Sequence, residues 1–444
     1  MRNIPRYPAA AALIAVAALS VTGCSTADEA HTEKTAAVVA DTSPSTGTGT
    51  GGSGRGGKGA AVVAAPLAHR GTGASSESTS ETGSPSTSGS TRKADSTVKV
   101  VSYNRSSGRA SVSGAASVST GDVIASPPMA GAPHGLLVKV TRVLGSTSEG
   151  TEVQTVPATL REALGDRKVS RTVAVDPSDV QVKPLGGDVH VSESKSLNSI
   201  RVDVSRSVKT ADDAPVSASA TVSGYVELTP TVEFSYDGSS SGTDSASLAL
   251  SGKWSSRVQL EGRAAASAGT QVPFAQLSTD ETFYVGDVPV VVNLSYVLYY
   301  AVDADGKVTV DVGQNASGGF KVGGTYARDD GWAPVSEADL EVSAVDTSVT
   351  AAGQAKATVG AKASVGLYGA VGVNAEVAPY VRASAEGDVL GGSYSWGVYG
   401  GYDLTGTLEV DLSEFGVPVD ESVPLVSVHK ETELASGSGG RASR

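Results

Sequence analysis

Val290-Val291-Val292-Asn293-Leu294-Ser295-Tyr296-Val297-Leu298-Tyr299-Tyr300-Ala301-Val302 decides the fold. Val290, Val292, Leu294, Tyr296, Leu298, Tyr300 and Val302 recur at every second position, so in an extended chain they share one face. β-Branched and aromatic residues fill the run and neither Gly nor Pro interrupts it, which predicts a long strand. Asp303-Ala304-Asp305-Gly306-Lys307 then reads as a turn, with Val308, Val310 and Val312 returning as the second arm of a hairpin. The turn imitates part of a calcium loop. In that register, however, the first ligand position is Ala301 and the twelfth is Val312, so two essential carboxylates are missing.

The same alternation extends in both directions. Upstream, Val226, Leu228, Val232, Phe234 and Tyr236 share a face of an extended segment interrupted by Pro230. Downstream, Val342 to Val410 carries strands rich in Gly and Ala, whose small residues suit close packing or curling of sheets. Composition agrees: 53 Gly and much Val, Ser and Thr stand beside only 5 Phe and 3 Trp. Strand formers dominate, and runs of Leu, Glu, Lys and Gln are scarce. The expected class is all-β: a large antiparallel sandwich or barrel-like body with one short helix, behind a disordered N-terminal tether.

That helix is read at Pro157-Ala158-Thr159-Leu160-Arg161-Glu162-Ala163-Leu164, with Gly165 as its stop. Before it, Val98 to Val101 predicts a first strand. Two more, at Gly121-Asp122-Val123-Ile124 and Gly135-Leu136-Leu137-Val138-Lys139-Val140, flank a loop with Pro127, Pro128 and Pro133. The stretch from Gly121 through Leu164 resembles a recurring unit of uncharacterised secreted bacterial surface proteins: GDVI, a proline-rich loop, GLLVKVTRV, a turn, then PATLREAL. The resemblance covers about 45 residues and implies a surface context without any chemistry.

The N-terminus carries an address. Arg2 and Arg6 form a short basic region, and Ala9 to Val21 is an apolar stretch too short to span a bilayer as a helix but suited to a signal peptide. It ends in Leu19-Ser20-Val21-Thr22-Gly23-Cys24, which resembles the bacterial lipobox: an apolar residue, two small residues, then cysteine. The resemblance implies a bacterial lipoprotein, cut before Cys24 and anchored to the extracytoplasmic face of the cell membrane by acyl chains on that thiol. Two chains satisfy the two-signal requirement for stable anchoring. Cys24 is the sole cysteine, so no intramolecular disulfide forms.

Four segments are expected: a signal peptide at 1–23, the lipidated cysteine and a disordered linker at 24–95, a β-rich extracellular body at 96–430, and a disordered tail at 431–444. The body reads either as one domain or as a small unit, 96–170, followed by a larger one, 171–430. The linker is Ser, Thr, Gly and Ala with scattered charges, a composition that buries too little apolar surface to offset ordering entropy. Its roughly 70 residues reach roughly 230 Å when extended. Gly52-Ser53-Gly54-Arg55-Gly56-Gly57-Lys58 has P-loop spacing, but Gly59 follows where Ser or Thr must hold Mg²⁺, and no strand precedes it.

The formal charge of −13 becomes more negative once Arg2 and Arg6 leave with the signal. An acidic chain without a basic stripe excludes nucleic acid as a partner. His31, His69, His134, His190 and His429 form no ligand pair, so no metal or cofactor is expected. Ser192-Glu193-Ser194-Lys195 matches a Ser-x-x-Lys pattern without its companion motifs or helix. Glu337, Asp339 and Glu341 alternate along one strand face and read as solvated. Tyr394, Trp396 and Tyr402 share a strand face that reads first as packed; the alternative is a candidate ligand site whose rings stack on a sugar, with Gly400 leaving a gap.

The expected function is therefore a membrane-anchored, non-enzymatic surface lipoprotein whose β-body is a binding or structural domain: it binds an extracellular glycan or protein, or forms part of the envelope. Two rivals stand beside it: an enzyme on cell-wall or extracellular glycans, and a membrane-inserting β-barrel, against which the lipobox and the polar tail argue.

Overall fold

The computed structural model describes residues 61–64, 98–114, 118–148, 150–185, 190–195, 199–209, 219–264, 267–268, 270–306, 308–350, 353–388, 393–408 and 423–440. The expectations for the signal peptide, Cys24, His31 and His69 lie outside the described residues.

The chain opens with β1 (Ala61–Ala64), β2 (Lys99–Asn104), β3 (Arg109–Ser113), β4 (Asp122–Ser126), β5 (Leu136–Thr147) and β6 (Gly150–Pro157). These form one antiparallel sheet in the order β1-β4-β5-β6-β3-β2. The stretch read as linker thus contains a strand. Helix α1 (Leu160–Leu164) follows and is the one α-helix among the described residues. Its start is a capping box: Thr159 Oγ1 accepts from the Glu162 amide at 3.2 Å, and Glu162 Oε2 accepts from the Thr159 amide at 2.9 Å. Gly165 ends it at φ 61°, where a side chain would be strained.

The body continues with β7 (Lys168–Ala174), β8 (Gln181–Pro184), β9 (His190–Lys195), β10 (Ile200–Lys209), β11 (Ser219–Ser239) and β12 (Gly242–Ala264). Next come β13 (Ser267–Ala268), β14 (Val272–Val285), β15 (Val288–Gly306), β16 (Val308–Ala327), β17 (Gly331–Ala338) and β18 (Glu341–Thr350). The last four are β19 (Gly353–Leu367), β20 (Ala370–Asp388), β21 (Ser393–Leu408) and β22 (Val423–Gly440). They make two further antiparallel sheets. The second runs β17-β16-β12-β11-β10-β9, with β18 on β16 and β7 on β11; the third runs β22-β21-β20-β19-β15-β14-β8, with β13 on β15. The all-β class and the single short α-helix expected from sequence are what the described residues adopt.

Three expectations are corrected. The strand at Val290–Val302 exists, but its partner is not Val308–Val312. β15 pairs with β14 and β19, whereas β16 pairs with β12, β17 and β18 in the other sheet. Asp303 to Gly306, read as a turn, continue β15 and pair with β19 from Asp303↔Lys356 to Gly306↔Gly353. Alternation tells which face of a strand is buried but not which strand lies beside it. Second, residues 431–440 are not a disordered tail: β22 pairs with β21 from Ser393↔Gly440 to Leu408↔Val423. Backbone pairing and two inward apolar side chains, Val428 and Leu434, hold a sequence that composition alone reads as polar. Third, Glu337, Asp339 and Glu341 do not share one strand. β17 stops at Ala338 and β18 starts at Glu341, both on β16, and at the break Asp339 Oδ1 accepts from the Gly319 amide at 2.8 Å.

The second and third sheets bury their inner faces against each other. Val226, Leu228, Trp254, Val258, Val310 and Phe320 face Leu294, Tyr296, Leu298, Ala357, Val365 and Tyr402 in one continuous core. Each Val, Leu or Phe among them contributes on the order of 1.5–3 kcal/mol by leaving water. The first sheet has its own core of Val98, Val112, Ile124, Val138, Val140 and Val153. β4 belongs to both: Val123 and Ala125 point into the large core and Ile124 into the small one. A second joint is the turn between β19 and β20, where Tyr368, at φ 49°, is the one non-glycine in left-handed backbone among the described residues. Its hydroxyl donates to the Pro289 carbonyl at 2.5 Å, and Arg105 donates to its carbonyl at 3.1 Å. Nearby, His134 Nδ1 lies 3.4 Å from Asp280 Oδ1, and Asn293 donates to the His134 carbonyl at 3.3 Å.

Candidate functional site

The site begins with glycines placed opposite tyrosines. On the outer face of the third sheet, Tyr299 of β15 pairs with Gly360 of β19, and Tyr380 of β20 pairs with Gly401 of β21. A Cβ on Gly360 would lie 2.5 Å from the Tyr299 ring, and one on Gly401 would lie 2.6 Å from the Tyr380 ring. Only glycine lets each ring rest on the neighbouring backbone, a cross-strand device that restores packing lost at a glycine. Lysines cover them: Lys356 Nζ stands 3.7 Å from the Tyr380 ring centre and Lys362 Nζ 5.5 Å from that of Tyr299. Although they lie on an outer face, Tyr299 is 2% exposed and Tyr380 1%.

Hydrogen bonds extend from the pinned rings. Tyr299 Oη donates to Glu376 Oε1 at 2.5 Å, and Gln271 Nε2 donates to the same oxygen at 3.0 Å. Tyr380 Oη donates to Glu431 Oε2 at 2.9 Å, and Arg382 grips Glu431 through Nε at 3.1 Å and Nη2 at 2.6 Å. Asp403 takes Lys356 at 3.5 Å and His429 at 2.7 Å, and the His429 ring stacks on Tyr380 with centres 6.1 Å apart. Burial, reinforced by the neighbouring carboxylates, drives both phenols far up, so they stay protonated donors. The Arg382 hydrogen bond, aided by that of Tyr380, holds the Glu431 carboxyl below its ordinary range.

Between these groups the face dips. Ala301 and Ala378 floor a depression of about 270 Å³, rimmed by Gln271, Asp303, Lys356, Thr358, Glu376, Asp403 and Thr405. Two small side chains amid long ones make the hollow. Its rim alternates donors and acceptors, which suits a ligand rich in hydroxyl or amide groups. Among the described residues no group of three or more His, Cys, Asp or Glu could hold a metal ion. No helix of the described residues is long and apolar enough to cross a membrane.

A second, wider groove of about 630 Å³ runs over the outer face of the second sheet, past Glu233, Lys253, Lys321, Glu337 and Asp339. Lys321 is paired with Glu233 at 2.7 Å.

The residues singled out from sequence lie elsewhere. Tyr402 is 1% exposed in the core, its ring 6.2 Å from that of Trp254. Trp396 is half-buried against the same core, its ring 2.8 Å from where Gly437, its partner on β22, would carry a Cβ. Tyr394 is half-buried. Their face turns inward, and Gln314 of the opposite sheet fills the gap at Gly400. Ser192 and Lys195 lie on strand β9, not on a helix. Sequence reasoning missed Tyr299, Lys356, Glu376, Tyr380, Arg382, Asp403 and Glu431. The available signal was their position on the polar parity of each strand, opposite the apolar parity.

Comparison of the chain with protein-family models, curated proteins and solved structures finds no match.

Proposed function

We propose that this chain is an exported lipoprotein, anchored through Cys24, whose β-body is a non-enzymatic module that binds an extracellular glycan on the outer face of the third sheet. The leader supports the address: a basic start, a short apolar stretch and a small-residue pair before cysteine. One observation carries the binding reading. Tyr299 and Tyr380 are pinned between glycine backbone and lysine, and their hydroxyls hold Glu376 and Glu431 beside a polar depression. Groups fixed in this way bind without paying to be ordered. A hydroxyl-rich polymer matches the alternating rim of Gln271, Lys356, Thr358, Glu376 and Asp403. Each of those two carboxylates already accepts hydrogen bonds from its neighbours, which suits recognition better than proton transfer.

Mass spectrometry of the mature N-terminus tests the address; an unlipidated terminus at another residue overturns it. Binding is tested on a panel of purified bacterial and host polysaccharides. The ectodomain is expected to retain at least one of them, and Lys356→Met and Asp403→Asn to weaken that binding about tenfold, the loss of one well-placed charged hydrogen bond. Retention unaffected by both substitutions overturns this site.

A further inference from the structure

β1 is a four-residue strand between two long stretches, 1–60 and 65–97, outside the described residues. Its partner β4 is buried along its whole length, with Val123 and Ala125 in one core and Ile124 in the other. One edge of β4 is taken by β5. The other would leave backbone amides and carbonyls unpaired in the wall between two cores, which is costly. Ala61↔Ala125, Val62↔Ile124, Val63↔Val123 and Ala64↔Asp122 fill it. This is strand addition, carried out by the chain on itself.

The docked sequence occurs twice. Ala60-Ala61-Val62-Val63-Ala64 is repeated, residue for residue, as Ala36-Ala37-Val38-Val39-Ala40. An edge recognises backbone and the side chains of a short extended run, so it does not tell the two copies apart. Neither copy is forced onto β4 by its neighbours, because 33 residues (65–97) separate β1 from Val98. A ladder of four residues, shorter than the usual strand, opens easily.

We propose that the β4 edge is a two-position clip: it holds Ala61–Ala64 or, in exchange, Ala37–Ala40, and thereby sets how far the body stands from its anchor. The reach part of this proposal rests on lipidation at Cys24; the exchange does not. With Ala61–Ala64 docked, 36 residues (25–60) separate the anchor from the clip, an extended ceiling of about 120 Å at ~3.4 Å per residue. With Ala37–Ala40 docked, 12 residues (25–36) remain, and the ceiling falls to about 40 Å. The occupant is decided by local concentration and by any pull on the body.

Hydrogen exchange on the ectodomain, residues 25–444, tests the exchange. In the wild type, amides of Ala61–Ala64 are expected to exchange about tenfold or more slowly than those of residues 70–90, as hydrogen-bonded edge strands do. In Val62→Asp/Val63→Asp, protection is expected to move to residues 36–40 while β4 stays protected. Adding Val38→Asp/Val39→Asp should strip the β4 edge while leaving the β11–β12 hairpin protected, which keeps the fold as an internal control. Failure of residues 36–40 to gain protection in the first variant overturns the exchange. A concentration-dependent doubling of mass that accompanies that gain assigns the occupant to a second copy and overturns the intramolecular clip. Neutron reflectometry of the lipidated protein on a supported bilayer reads the reach. The first variant should sit closer to the membrane than the wild type; equal heights overturn the reach claim. If the protein carries no lipid, only the reach claim falls, and exchange still decides the clip.

Discussion

Tyr380 rests on Gly401 of the next strand while Lys356 stands 3.7 Å from its ring centre, so one side chain is fixed by a missing side chain and a cation together. The same arrangement recurs at Tyr299, Gly360 and Lys362. It gives the glycines of the third sheet a purpose different from close sheet packing: they seat rings on the outer face.

Gly360→Ala and Gly401→Ala should each lower stability by about 1–3 kcal/mol, the cost of forcing a methyl group into a filled site. Chemical denaturation midpoints measure this. Pairing Gly360→Ala with Tyr299→Ala should recover part of the loss, giving a non-additive cycle. Strict additivity would mean that ring and glycine do not interact.

Glu431 predicts an acid-sensitive edge. Its carboxyl is held low by Arg382, so its contribution is present above the unfolded value of about 4.3 and is lost as pH falls through the lower folded value. Thermal melts between pH 6 and pH 3 should show the wild type losing more stability than Glu431→Gln. Equal slopes would remove Glu431 as a cause.

His134 predicts the opposite sign at the joint between the first sheet and the sandwich. Its hydrogen bond to Asp280 raises its proton affinity, against burial and the charge of Arg105. The contribution of protonated His134 is fully present below about 6.5 and is lost as pH rises through the higher folded value. Amide exchange in β4 should therefore quicken between pH 6 and pH 8, after correction for intrinsic rates, more in the wild type than in His134→Ala.

Gln314 is 0% exposed, and neither its amide nitrogen nor its amide oxygen has a hydrogen-bond partner; the hydroxyl of Tyr402 is likewise buried without one. Such groups cost about 1–3 kcal/mol each. Gln314→Leu and Tyr402→Phe should leave the denaturation midpoint unchanged or raise it. Tyr402→Ala, which empties the core beside Trp254, should cost about 3–5 kcal/mol. A clear loss in Tyr402→Phe would show that its hydroxyl is satisfied in solution.

The sequence made some elements plain and hid others for physical reasons. Helix α1 was legible because its stop is local, at Gly165, and its apolar residues lie within one turn. β15 was legible because seven alternating apolar residues admit one reading. The partner of β15 was not, since β14 and β19 lie in separate stretches of chain and nothing local distinguishes them from β16. The outer-face site was illegible for the same reason: Tyr380 and Gly401 are 21 positions apart and meet only through register. The inward turn of Tyr402 was foreshadowed by the small and apolar residues on its strand, whereas the filling of the Gly400 gap by Gln314 was not, because that side chain arrives from the opposite sheet.

The crossing from β15 to β16 has a kinetic consequence. β11 and β12 join through a tight turn and can zip early. The next ladder on β12 must wait for β16, which the chain reaches only after laying β14 and β15 into the other sheet. Ladders closed across such sequence separations form slowly, over milliseconds to seconds. A body that folds late stays threadable for longer, the condition a chain must meet if it is to pass a membrane unfolded and take shape on the far side.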